Sequence, residues 1–317
     1  VVPMQICVID RVDGKGHDVA PLQRVSSSFD VQRISPHHVH DIRPNTEVLF
    51  IRAAYFGELG EVARRLPRLR WIHISMAGTE HLPKKVFRER GIILTNSAGV
   101  LDQAIGEYVA GSVLLWSKGL LRSAHDTSQA LRVHREPLSN DQLRVLVVGA
   151  GGIGTAAARM LRGMGVAHLA GARRDPAALD PVFDEYVDSN ALLSHVGNFN
   201  VLVASLPSSP ATANMFSSTV IAGFADPCVF VNVGRGASVD HHALARMLSK
   251  HTRSAAVLDV TEPEPLPSGH PLWGLPNLVI SPHMAGDTPD RHERYALLFE
   301  ANLGRFSQGE PLLNRVI

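Results

Sequence analysis

Cysteine is nearly absent: the 317 residues contain two, Cys7 and Cys228, each inside an apolar run. That argues against a disulfide framework and for buried, reduced thiols in a cytoplasmic protein. Charge of one sign is lacking as well. Thirty-one Lys and Arg face 30 Asp and Glu, a formal net charge of +1. No broad field invites nucleic acid or an anionic membrane, so neither is expected as a partner. Long uncharged apolar runs are missing too. The longest apolar stretch, residues 104–121, carries Glu107 and Lys118 and several glycines, whereas a membrane span needs ~20 largely uncharged residues. It reads as a buried helix. The first ten residues, VVPMQICVID, alternate and read as a strand rather than as a secretory signal.

What is present supports a normal core: 45% hydrophobic and 19% charged residues, over a length that suggests about two domains. Apolar runs alternate with helical patterns. QICVID, VQRIS, VLFIRA, LRWIHIS and IILTN come first, then from Arg144 a second series of RVLVVGA, HLAGA, VLVASL, VFVNV, AAVLDV and LVIS. Such β-α-β alternation implies parallel sheets, hence two α/β domains in tandem. The last helix has a start signal. Thr288 can cap it, Pro289 suits the first helical position, and Asp290 and Glu293 suit its positive end. Leu297, Leu298, Ala301 and Phe306 give it an apolar face. It is expected to return to the first domain, so that the chain crosses between domains near 99–103 and 285–288, a two-stranded hinge around a cleft.

RVLVVGAGGIGTAAARMLRGMG is a strand, a glycine turn and a helix in order. Gly149, Gly151 and Gly154 fit the spacing G-x-G-x-x-G. The first permits the tight turn, the second admits a pyrophosphate to the backbone, and the third lets helix pack on strand. The phosphates of a dinucleotide would face the helix N-terminus, where unpaired N–H groups favour negative charge. About 20 residues further on, an NAD site usually carries an acid for the ribose 2′-OH. Here the strand ends GARRDP, with Arg173 and Arg174 at or beside that place and Asp175 after them. A guanidinium pairs with a 2′-phosphate, so NADP(H) is favoured, with NAD(H) the other possibility if Asp175 takes the ribose.

Three later apolar runs each stop at a chemically capable residue. VFVNV leads to Arg235, AAVLDV leads to the acidic stretch containing Glu262 and Glu264, and LVIS leads to His283. Ligands in an open parallel sheet sit outside the carboxyl ends of the strands. If these strands are neighbours, an anion clamp, a carboxylate and an imidazole can meet, which suggests acid/base chemistry on a small carboxylate. His37, His38 and His40 mimic a metal tract, but they lie in a Pro-containing loop without partner ligands and read as solvated.

The segments VVGAGGIG, VNVGRGASVDHHAL, LDVTEPEPLPSGHPLWGLPNLVISPH and MAGDTPDR resemble the D-isomer-specific 2-hydroxyacid dehydrogenase family, and most closely its glyoxylate/hydroxypyruvate reductase branch. The resemblance covers nearly the whole chain. It implies two Rossmann-like domains: a flavodoxin-like substrate domain (residues 1–101 and 287–317) and a doubly wound dinucleotide-binding domain (102–286). It implies reduction of a small 2-keto acid to the D-2-hydroxy acid. Arg235 would bind the carboxylate, His283 would donate the proton, and the acid just before Pro-Leu-Pro, Glu264 rather than Glu262, would pair with the histidine. Cofactor contacts are implied at Gly149, Gly151, Gly152, Ile153, Gly154, Arg173, Arg174, Leu206, Pro207, Val233, Gly234, Arg235, Asp259, His283, Ala285 and Gly286. Asp259 is the expected partner of the nicotinamide amide. The substrate carboxylate would also meet a loop at Met76, Ala77 and Gly78, where the family usually has more glycine. Arg52 is a second cation for that side, or else a solvated strand end; Tyr55 and Phe56 would wall the pocket or, equally, belong to the core. The family usually forms homodimers through the segment after its long helix, here about residues 120–140. Two other readings stay open: a nucleotide-sensing, corepressor-like protein on the same fold, and a phosphoglycerate-type dehydrogenase.

Overall fold

The computed structural model describes residues 4–10, 20–52, 58–134 and 136–317. Tyr55 and Phe56 lie outside the described residues. The chain divides into two compact units, Val1–Val100 with Thr288–Ile317, and Leu101–Asp287.

In the first unit, β1 (Gln5–Ile9), β2 (Asp30–Ile34), β3 (Val48–Ile51), β4 (Trp71–Ile74) and β5 (Ile93–Thr95) form one sheet in the order β2-β1-β3-β4-β5. All pairings are parallel, which is the flavodoxin-like order. The central strands β1, β3 and β4 are buried throughout, as a sheet covered on both faces requires, so their sequences are continuous apolar runs. The last helix, Arg291–Gln308, belongs to this unit and inserts Phe299 against Phe50 at 4.3 Å and Trp71 at 5.2 Å. It starts later than Thr288 and Pro289 predict. The Arg291 N–H donates to the Thr288 carbonyl at 3.2 Å, so residues 288–290 form a lead-in turn, and Asp290 holds Arg294 at 2.7 Å.

The second unit holds β6 (Arg144–Val148), β7 (His168–Ala172), β8 (Glu185–Tyr186), β9 (Val201–Ala204), β10 (Val229–Asn232), β11 (Ala255–Leu258) and β12 (Leu278–Ile280). Their order is β12-β11-β10-β9-β6-β7-β8, again parallel throughout. The order reverses between β6 and β9, and a crevice opens at the carboxyl ends of such a pair. The apolar run at 104–121 forms the helix Asp102–Ser117 and ends there, because Gly119, at φ +71°, turns the chain into a second helix, Leu120–Ser128. Gly106 lets the first of these lie against the glycine-loop helix Gly152–Gly163: a Cβ at 106 would stand 2.9 Å from the Ala156 backbone. Among the described residues no helix is long and apolar enough to cross a membrane. Cys7 and Cys228 are free and buried, and burial pushes each thiol up to about 12, which leaves both unreactive near neutrality.

Candidate active site

The glycine loop follows β6. Gly149 has φ +98°, and a Cβ there would sit 2.6 Å from the Ser205 carbonyl oxygen on the neighbouring chain segment. Both facts require glycine. At Gly154 a Cβ would meet the Gly149 carbonyl at 2.6 Å and Val147 at 2.7 Å, so this glycine sets the helix-to-strand distance. At Gly151 a Cβ would meet only the Gly149 carbonyl, at 4.0 Å. Its backbone faces open space at the start of the helix Gly152–Gly163, where an anion is favoured. Gly152 is closer-packed, with the Asp102 carboxylate against it. A cavity of about 550 Å³ opens beside this loop, lined among others by Gly151, Arg174, Tyr186, Leu206 and Pro207. Open glycine backbone, a helix N-terminus and arginine on one wall fit a dinucleotide.

The three residues after β7 behave differently. Arg173 is turned inward, its guanidinium donating to the carbonyls of Ala150 and Ala178. Asp175 folds its carboxylate onto the Ala177 N–H at 3.0 Å, capping its own short turn. Arg174 is exposed on the cavity wall. Both arginines line the cavity; half-buried Arg173 also braces the glycine loop, and Arg174 is the more exposed of the two.

β10, β11 and β12 are successive neighbours in the sheet. They deliver Arg235, Glu264 and His283 beyond the same, carboxyl, edge. The glycines around Arg235 are there for close approach. A Cβ at Gly234 would stand 2.5 Å from the Leu206 N, and at Gly236 2.0 Å from the Thr261 carbonyl carbon. The backbone of Arg235 is fixed by Asn232 and Ser238, both donating to its carbonyl, and its guanidinium donates to the Gly234 carbonyl at 2.8 Å. Its side chain is half-buried.

His283 Nδ1 lies 2.9 Å from Glu264 Oε1. A carboxylate can only accept, so Nδ1 carries the hydrogen and Nε2 is left as the nitrogen that can exchange a proton. The side chains are 54% and 42% exposed, so the pair contributes orientation rather than much stability. Glu262 is exposed. His283 itself has φ +54°, an uncommon conformation for a residue with a side chain. It is held by its own N–H, which donates to the carbonyls of Asp259 and Ser281, each at 3.0 Å.

Asp259 has a task that the sequence did not reveal. Its carboxylate, 3% exposed, accepts from the N–H groups of Met284 at 2.8 Å and Ala285 at 3.0 Å and from the Ser281 hydroxyl at 2.6 Å. Tyr108, on the helix Asp102–Ser117, reaches the same Ser281 oxygen at 2.6 Å. Tyr108 and Ser281 were missed because neither carries a motif. The one signal was a phenol in the mainly apolar stretch that follows Glu107. Val233 and Ala285 are buried beside this edge, and Gly286 packs on Leu101.

In the first unit, Arg52 is neither solvated nor at the surface. It is 5% exposed and pairs with Asp10 at 3.0 Å. Desolvation lowers its pKa against the pull of that carboxylate. The loop after β4 is pinned from behind: Asn96 Nδ2 donates to the Ala77 carbonyl at 2.7 Å and the Ser97 N–H to the Met76 carbonyl at 2.9 Å. Met76 leans on the core, while Ala77 is exposed. His38 bonds Ser35 at 2.7 Å within the short helical turn Pro36–Asp41.

Residues 113–285 match the model of the D-isomer specific 2-hydroxyacid dehydrogenase, NAD binding domain. An uncharacterized Streptomyces coelicolor protein is 33% identical over 222 residues, 70% of this chain and 79% of the relative. The Homo sapiens glyoxylate reductase/hydroxypyruvate reductase is 30% identical over 250 residues, 77% of this chain and 76% of that one. Among solved structures, an NADPH-dependent glyoxylate/hydroxypyruvate reductase from Sinorhizobium meliloti, in complex with NADP and malonate, superposes with TM-score 0.76. It shares 23% identity over 99% of this chain and 97% of its own.

Proposed function

The chain belongs to the D-isomer specific 2-hydroxyacid dehydrogenase family, and on that footing we propose that it reduces a small, unphosphorylated 2-keto acid of the glyoxylate or hydroxypyruvate kind to the D-2-hydroxy acid, with NADPH preferred. The observation that carries this reading is the 2.9 Å contact of His283 Nδ1 with Glu264, delivered from β12 and β11 beside the Arg235 strand. When bound, the dinucleotide supplies the hydride to the keto carbon. Arg235 offers a planar fork to the substrate carboxylate. As the carbonyl π pair moves onto oxygen, His283 in its imidazolium form gives that oxygen its Nε2 proton and is left neutral, with the hydrogen on Nδ1. Glu264 keeps the Nδ1 hydrogen in place and so holds the ring in one orientation. Acid/base assistance of this kind contributes about 10²–10⁴-fold in rate.

Residues 1–101 and 287–317 are proposed as the substrate domain and 102–286 as the dinucleotide domain, with Met76, Ala77 and Gly78 proposed for substrate binding. NADPH is favoured because Arg174 stands exposed on the cavity wall, while Asp175 on the same wall already accepts from the Ala177 N–H with one oxygen. A homodimer through residues 120–140 is supported by the exposure of Leu120, Leu131 and Val133. Sedimentation at the mass of one chain would contradict that assembly. The function is tested by steady-state rates for glyoxylate, hydroxypyruvate, phenylpyruvate and phosphohydroxypyruvate with each nicotinamide cofactor. The expected result is turnover of an unphosphorylated acid, faster with NADPH. Preference for the phosphorylated acid, or no turnover of any, would overturn it.

A further inference from the structure

We propose that Tyr108 is a positioning residue for the reaction, holding the His283 loop in its working shape through Ser281 and Asp259; this rests on the function proposed above.

The direction of each hydrogen bond follows from the chemistry. Asp259 accepts from Ser281, and a serine has one hydroxyl hydrogen. The Ser281 oxygen can therefore only accept from Tyr108, so the phenol donates at 2.6 Å. Burial raises the Tyr108 pKa above its ordinary value, which keeps the phenol protonated as that donor. The chain of donors ends on a carboxylate that also takes the N–H groups of Met284 and Ala285. Linked donors of this kind strengthen one another, and most of all in a buried setting. Between the two anchored ends, Ser281 and Met284, lie Pro282 and His283, and His283 is at φ +54°. Such a conformation persists only where the surroundings over-determine it. The bonds from Asp259 and Ser281 are those surroundings.

The phenol comes from a helix that starts where the chain enters this unit, and the loop precedes the point where it leaves: Leu101 packs on Gly286 in the same region. The bond from Tyr108 thus ties the proton-donor loop to the entering helix. Tyr108 and Ser281 are not among the expected cofactor contacts, so removing either hydroxyl should leave the phosphates of NADPH held at the glycine loop; Asp259 and Ala285, which are among them, keep their mutual bond.

The test uses the full-length protein and the variants Tyr108→Phe and Ser281→Ala, with two readouts. Amide hydrogen exchange over residues 281–286, measured with NADPH bound, reports the loop without reference to turnover. The kcat per active site, against the KM for keto acid and the Kd for NADPH, reports its consequence. Tyr108→Phe is expected to speed exchange at Met284 and Ala285 and lower kcat about three- to tenfold, the worth of one hydrogen bond. KM and Kd should stay within about twofold, the usual reach of a group that touches neither ligand. Ser281→Ala is expected to do more of the same. Unchanged exchange, or faster exchange with unchanged kcat, would overturn the proposal. A fall in kcat with exchange unchanged would overturn it too. If the wild type reduces no keto acid, the proposed function fails by itself, and the exchange readout still decides whether Tyr108 holds the loop.

Discussion

Arg174 and Arg173 are neighbours in sequence that line the same cavity but are differently engaged, and the difference decides a prediction. Arg173 is engaged by two backbone carbonyls; Arg174 stands exposed on the cavity. Replacing Arg174 by Ala should lower kcat/KM for NADPH about tenfold or more while leaving NADH within about twofold, because a guanidinium–phosphate pair acts on the 2′-phosphate alone. Equal loss with both cofactors would place Arg174 elsewhere. Two buried histidines set an acid limit. Burial in the aromatic core of the first unit depresses His73 to about 3, and burial depresses His241 in the second unit to about 4, both from an ordinary 6.5. In the folded protein both stay neutral as the pH falls below 6.5, whereas the unfolded chain takes up protons there. The unfolded state then binds more protons, so stability drops as the pH goes from about 6.5 towards 4. Urea midpoints measured across that window should fall, and His73→Gln should flatten the fall. A pH-independent midpoint in the wild type would contradict the assignment.

At the scale of elements, the strand ends depend on glycine for spacing. Gly236 lies so close to the segment after β11 that a Cβ would stand 2.0 Å from the Thr261 carbonyl carbon. Gly236→Ala must push that segment, and with it Glu264, away from His283. Overpacking of this kind costs about 1–3 kcal/mol. The expected outcome is a lowered melting temperature and a kcat loss larger than that of Glu264→Gln, since both Arg235 and Glu264 shift. An alanine variant with wild-type kcat would show that the two segments can part freely.

What could be read from sequence divides along the same lines. The strands announced themselves because a parallel strand buried on both faces is a continuous apolar run. β8, two residues long with Tyr186 exposed, has no such run to show. The last helix was legible by its apolar face, but its start was displaced by the turn at Thr288, which competes with capping there. Arg235, Glu264 and His283 were legible because each ends an apolar run. Asp259 also ends one, yet the acceptors and donors that define its task come from residues 108 and 281–285 and meet only in the folded chain.

For the whole molecule, the second unit gathers the positioning groups and the proposed chemical groups together. Each unit is an α/β core with its own sheet, and the second carries both the glycine loop and the strand ends that bear Arg235, Glu264 and His283 at one edge. On the function proposed for it, this member of the D-isomer specific 2-hydroxyacid dehydrogenase family would need His283 for the proton more than for holding the cofactor. The most direct measurement is kcat for reduction of the best 2-keto acid by His283→Asn, beside the Kd for NADPH. The account predicts a fall in kcat of at least about 10²-fold with Kd nearly unchanged. Turnover within a few-fold of wild type would contradict it.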